Sequence, residues 1–432
     1  MKKISLVLIL GIFLALSACA QIPFLDRFQG QVTETAPTAI KTKIAPTQTA
    51  TPGSPEKEKA SLTIWVPPQF DPQGPTSSGE LFQARMDEYL SEHPSLTIDV
   101  RVKDLSGPGG ILDTLRTARD AAPLVLPDVI ALPRSLMETA AGEDLIAPFG
   151  EYAGQFEGKD WYSFADQLAR IDEEVYGIPF AADILIFAYK TDSLESSPGS
   201  WEELLSNPKP MAFPASDPQA FVTFAFYKSA GGNIASLNQS YVIDRSPMME
   251  VLSFYQEARQ VEVMPYWITQ FETDEQAWNA YTERQATQVV TWISNYLQTE
   301  PTNTSLGALP TSEGRAFSYA TGWVWSIVNK GPDQLNLSTE FIDYLTEDRY
   351  LAEWNAEAGF VPPLSSSLAL WLTEDMERTL FERILPATTL IPSEKIQEQV
   401  GPILQEAVIL VLKGQLDPEE AVSQIQEALP DR

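Results

Sequence analysis

Residues 175–194 read VYGIPFAADILIFAYKTDSL. Small residues, Gly177, Ala181 and Ala182, stand ahead of an apolar, β-prone run from Ile184 to Tyr189, with Asp183 between them. Such a segment suits a strand that leaves one lobe and enters another, because small side chains leave room where two bodies approach. Length points the same way, since 432 residues exceed what one hydrophobic core usually organises.

Outward from that segment the chain alternates between helical and strand periods. Leu62 to Val66 is a strand stopped by Pro67-Pro68, and Leu81, Phe82, Arg85, Met86, Tyr89 and Leu90 recur at helical spacing until His93-Pro94 ends the run. Leu96 to Val102 alternates as a second strand, Leu112 to Ala122 reads as a helix, and Pro127 to Leu132 as a third strand. Strand, helix, strand in this order predicts an α/β first lobe, with helices on the faces of a parallel sheet. Near the end, Pro402 to Leu429 reads as two helices broken at Gly414, with Asp417 as N-cap, Pro418 at the first helical position and Glu420 completing a capping box.

Composition removes whole classes of function. The formal charge of −30, from 29 basic and 59 acidic side chains, repels phosphate backbones and anionic lipid head groups, so no nucleic-acid partner is expected. One Cys and one His rule out an internal disulfide, a Cys-rich zinc site and a multi-histidine metal centre. His93 lies in a Glu-His-Pro turn, where a surface role is expected. No GxSxG elbow or GxxxxGK[ST] loop occurs, and the SxxK match at Ser206 to Lys209 contains Pro208, which spoils helical geometry. Neither catalytic residues, cofactor nor metal is predicted.

The N-terminus carries targeting information. Lys2 and Lys3 precede an apolar stretch, Ile4 to Leu16, too short to span a bilayer comfortably, and Leu16-Ser17-Ala18-Cys19 resembles a bacterial lipobox. Residues 1–18 are therefore expected to be a lipoprotein signal peptide and Cys19 the lipidated residue. Residues 33–55 hold seven Thr and four Pro with no aromatic, so 19–59 reads as a lipid anchor and semi-extended tether. The expected location is outside the cell membrane, anchored to its outer face.

The order of segments resembles the carbohydrate-binding family of extracellular solute-binding proteins of ABC importers. The pieces are HPSLTIDV from His93, PDVIAL from Pro127, AGEDLIAPFGEY from Ala141, the segment at Val175, SWEELL from Ser200 and SAGGN from Ser229. QVVTWISNYL from Gln288, ATGWVWSIVNKG from Ala320, STEFIDYLT from Ser338 and AGFVPPL from Ala358 follow in the same order. The resemblance implies a two-lobed α/β fold of the periplasmic-binding-protein kind, each lobe a mixed, mostly parallel sheet flanked by helices, with a ligand cleft between the lobes. It implies crossings near Asp183, over Thr311 to Ser318 and near Pro362 to Ser366. The N-terminal lobe is then expected to comprise 60–182 and 318–364, and the C-terminal lobe 183–317 and 365–432.

Motif by motif, the resemblance implies ligand contacts at Gln69 and Phe70 after the first strand, and at Arg134 and Ser135 after the third. Asp183, Phe221, Trp292, Asn295, Tyr296 and Trp323 complete the set. Where some sugar binders carry tryptophan after the third strand, this chain has Leu132 and Pro133. Aromatics make up 10% of the chain, and flat rings with planar polar groups suit the apolar face and hydroxyl rim of a sugar. Asp183 is open to two roles, a bidentate acceptor for sugar hydroxyls or an acceptor that steadies the hinge. The expected function is capture of a sugar or oligosaccharide by a monomer and delivery to ABC-transporter permease subunits. A hydrolase using a cleft carboxylate pair and a ligand sensor of the same fold are the alternatives.

Overall fold

The structure, a computed structural model, describes residues 60–237, 240–328, 331–371 and 375–429. The expected leader, Cys19 and tether lie outside the described residues. The fold is mixed α/β and two-lobed. Among the described residues, nine strands join into one sheet that runs through both lobes.

In the N-terminal lobe Ala60–Val66 pairs in parallel with Leu96–Val102 and Val129–Pro133. Ser318–Ile327 then runs antiparallel to Val129–Pro133 and to the first half of Ile178–Lys190. The second half of that strand carries Gln288–Trp292 and Thr304–Gly307, both antiparallel, and Met211–Ala212 lies parallel to Gln288–Trp292. Ile178–Lys190 is thus common to both lobes, and every one of its 13 residues is buried. Its partners change between Ile184, opposite Ala320, and Leu185, opposite Trp292.

Further backbone contacts thicken this waist. The Ser318 hydroxyl donates to the Leu185 carbonyl at 2.6 Å, and Val361 bridges to Ala182. Thr388–Leu390 pairs in parallel with Ser318–Ala320, a strand the sequence does not announce because three residues are too few to show a period. Gly322 lies opposite Ala182. A Cβ there would come within 2.4 Å of the Ala181 carbonyl oxygen and 2.9 Å of Leu168 Cδ2, so only glycine permits this approach.

Each lobe packs its own core. On one face of the N-terminal half lie Phe70, Phe82, Phe180, Trp325 and Trp354, and on the other Trp65, Leu132, Met137 and Val324. The C-terminal half buries Phe187, Trp201, Phe213, Phe224, Phe226 and Tyr255. Two expected helix boundaries are found, the second with the Asp417 half of its expected capping box. The Ser77–Glu92 helix ends at His93, whose Nδ1 lies 2.8 Å from the Tyr89 carbonyl, and Asp417 accepts the Glu420 N–H at 2.9 Å. The helix expected to start at Pro402 instead spans Glu394–Leu412 with Pro402 inside it. Burial of Val400, Leu404, Val408 and Val411 along one face outweighs the single missing N–H.

Replacing Gly322 with Ala is expected to cost about 1–3 kcal/mol through overpacking at the waist, read as a lower urea midpoint. Gly142→Ala, whose added methyl meets nothing within 4 Å, should leave the midpoint within about 0.5 kcal/mol of the parent.

Candidate functional site

Two adjoining cavities share Gln219, Phe221 and Trp292, the first between the lobes and the second within the C-terminal half. The first, of about 180 Å³, is lined by Arg134, Ser135 and Glu138 on one side and by Glu394 and Gln397 on the other. The second, of about 220 Å³, is lined by Asp217, Glu272 and Asp274.

The aromatic wall is built locally. Asp217 accepts backbone N–H bonds from Gln219 (2.9 Å) and Phe221 (3.2 Å), a turn that aims Phe221 from the first position of its helix, Phe221–Ser229. Ala220, between them, sits at φ 50°, a left-handed conformation costing a non-glycine residue roughly 1–2 kcal/mol. Trp292 ends its strand and begins the Ile293–Thr299 helix. Its ring meets Phe221 edge to face, with centroids 5.6 Å apart at 80°.

Carboxylates hold that wall from behind. Asp274 accepts from the Thr291 hydroxyl (2.9 Å), the Trp292 N–H (3.2 Å) and the Asn295 amide. Asp183 accepts both the N–H and the hydroxyl of Ser294, at 3.2 and 2.6 Å. Burial pushes Asp274 up to about 7, with the nearby charges of Asp183 and Asp217 adding to the rise. Burial also lifts Asp183 to about 6, against the pull of the Ser294 bonds. Asp217 is raised as well, again by desolvation.

Residues 84–379 match the family model described as bacterial extracellular solute-binding protein. The chain belongs to that family. Solved structures share the fold of this solute-binding protein at low identity. The maltose-binding MalE of Listeria monocytogenes, in complex with maltose, is 14% identical at a TM-score of 0.69, covering 86% of this chain and 97% of that one. The sugar-binding protein MalE from Xanthomonas citri is 17% identical at 0.68, covering 86% and 96%. Maltose-bound MalE3 of T. maritima is 17% identical at 0.62, covering 86% and 99%. No curated protein sequence matches the chain.

Of the residues singled out from sequence, this solute-binding protein brings Arg134, Ser135, Phe221 and Trp292 to one cavity. Arg134 is largely engaged by its own lobe. Its Nη1 donates to the carbonyls of Leu168 (2.8 Å) and Arg170 (2.6 Å), and its Nε to Glu138 (2.7 Å). Asp183 lies beneath the wall rather than in it, bonded to Ser294. Asn295 turns to Asp274, and Tyr296 packs, half-buried, against the apolar cluster that joins both lobes at the waist, so neither lines the cavities. Gln69 is exposed outside them.

Phe70 and Trp323 correct the expectation most plainly. They are 3% and 8% exposed, 4.7 Å apart between ring centroids, in the N-terminal core with Phe180 and Trp354. Glu138, Asp217, Gln219, Glu272, Asp274, Glu394 and Gln397 are among the lining residues that sequence reading missed. A carboxylate at the start of a helix was the one signal for Asp274 and Glu394, and it is shared by ordinary caps.

The raised carboxylates fix a pH response. Between about pH 4 and 7 the folded protein holds protons on Asp183 and Asp274 that the unfolded chain has released, so their contribution to stability falls as pH rises through that window and levels off above it. Asp274→Asn removes one of the two groups. Urea titrations from pH 4 to 8 should show a shallower loss of stability in the variant than in the parent. Parallel curves would show that Asp274 titrates normally.

Proposed function

We propose that the protein is an extracytoplasmic solute-binding lipoprotein that captures a sugar or oligosaccharide and delivers it to an ABC importer. The observation that carries the reading is the wall of Phe221 and Trp292 between two cavities edged with amide and carboxylate groups. Aromatic faces take the CH surface of a pyranose, and carboxylates and amides take its hydroxyls. The sugar-binding titles of the structural relatives support this choice of ligand. Its task is capture rather than chemistry, it acts as a monomer, and it needs neither cofactor nor metal.

On this reading the N-terminal lobe comprises 60–182 and 318–364, and the C-terminal lobe 183–317 and 365–432. The lobes close on the ligand about the shared strand, and the closed form meets the permease subunits with both lobe surfaces. Ligand drives closure only to the extent that it binds the closed form more tightly. Cys19, acylated after removal of residues 1–18, holds the body at the outer face of the membrane on the 19–59 tether.

Thermal unfolding against maltose, maltotriose, glucose, polyols and short peptides tests the ligand class. A ligand at a hundred times its Kd adds about 2.7 kcal/mol, a shift of a few degrees. Stabilisation by one saccharide group is expected, with none from peptides. Trp292→Ala and Phe221→Ala should abolish that shift by calorimetric titration while retaining a cooperative transition. Unchanged affinity in both variants would place the ligand elsewhere.

A further inference from the structure

Across the first cavity the lobes touch through a reciprocal pair of hydrogen bonds. Glu138 and Thr139 lie on the Arg134–Gly142 helix, whose Met137 and Ala140 pack in the N-terminal core. Glu394 opens the Glu394–Leu412 helix, whose Val400, Leu404 and Val408 pack in the C-terminal core. Glu138 Oε2 accepts the Glu394 backbone N–H at 3.0 Å, and the Thr139 hydroxyl donates to Glu394 Oε2 at 2.8 Å. Ser393, at the N-cap position, makes no side-chain cap bond of its own. The free N–H at the start of a long helix is therefore capped by a carboxylate from the other lobe, where the helix dipole favours negative charge.

Glu138 is held ready for this role. Arg134 fixes its other oxygen at 2.7 Å, and Arg134 is in turn clamped by the carbonyls that end the Ser163–Ala169 helix. On the opposite side Gln397, one turn into the capped helix, accepts from Gln219 at 3.0 Å, beside the Phe221 wall. The contact therefore connects a rigid corner of one lobe to the element that borders the aromatic wall of the other.

We propose that Glu138 and Thr139 form a latch that caps the Glu394–Leu412 helix across the cleft and holds the ligand-free lobes together at this edge. The latch rests on the two-lobed binding reading above, and it supplies part of the closure free energy before any ligand arrives. A hydrogen bond to a charged partner is worth about a tenfold change in the closed-to-open ratio. Its loss lowers apparent affinity only by the fall in the closed fraction, because that fraction alone completes the site.

The test needs no ligand. The full chain with Cys19→Ser carries no other cysteine, so Ser106→Cys and Gln270→Cys, both exposed and one on each lobe, accept a spin-label pair. Pulsed electron resonance on the ligand-free parent should give a dominant short distance. Thr139→Val, which keeps the shape of the side chain and leaves Arg134 and Glu138 untouched, should shift about tenfold of the closed-to-open ratio toward a longer distance, and Glu138→Ala at least as much. A parent already at the long distance, or variants that match the parent, would overturn the latch. Failure of the saccharide panel would instead defeat the choice of ligand and leave the distance result standing.

Discussion

The constraint on which the structure depends is the burial of Ile178–Lys190 along its whole length. A strand buried at every one of its 13 positions must have both edges and both faces covered. Two lobes share the work. One supplies Ser318–Ile327 to the first half, and the other supplies Gln288–Trp292 and Thr304–Gly307 to the second. Because the exchange of partners falls beside Asp183, the carboxylate there sits at the junction and is satisfied by Ser294 from the element that follows Trp292. The aromatic wall is therefore aligned by the same strand that joins the lobes.

That dependence explains what the sequence reveals. Gly177, Ala181 and Ala182 before an apolar run are legible as a crossing, since small residues and β propensity are local properties. The same holds for Asp417 as a cap and for His93 as a helix end. Phe221 and Trp292 are legible only through the order of segments, and the structure seats both at the cavity.

Failures follow from facing rather than from type. Trp323 and Trp325 sit two apart on one strand, and both point into the N-terminal core, as the two-residue period requires. Sequence tells that they share a side but not which side. Arg134 reads as a ligand-facing fork, yet the carbonyls it caps belong to a helix more than thirty residues away. The partner of Asp183 lies 111 residues on, and that of Glu138 lies 256 residues on. Contacts at such separations leave no periodic trace, and they are the ones that define this site.

The chain passes through the waist in Ile178–Lys190, Ser318–Ile327, the bridge at Val361 and Thr388–Leu390. Neither lobe is therefore encoded by an uninterrupted stretch of gene. A truncation made at any one of these passes removes strands from the shared sheet, so neither body can be cut out of the chain as one continuous piece.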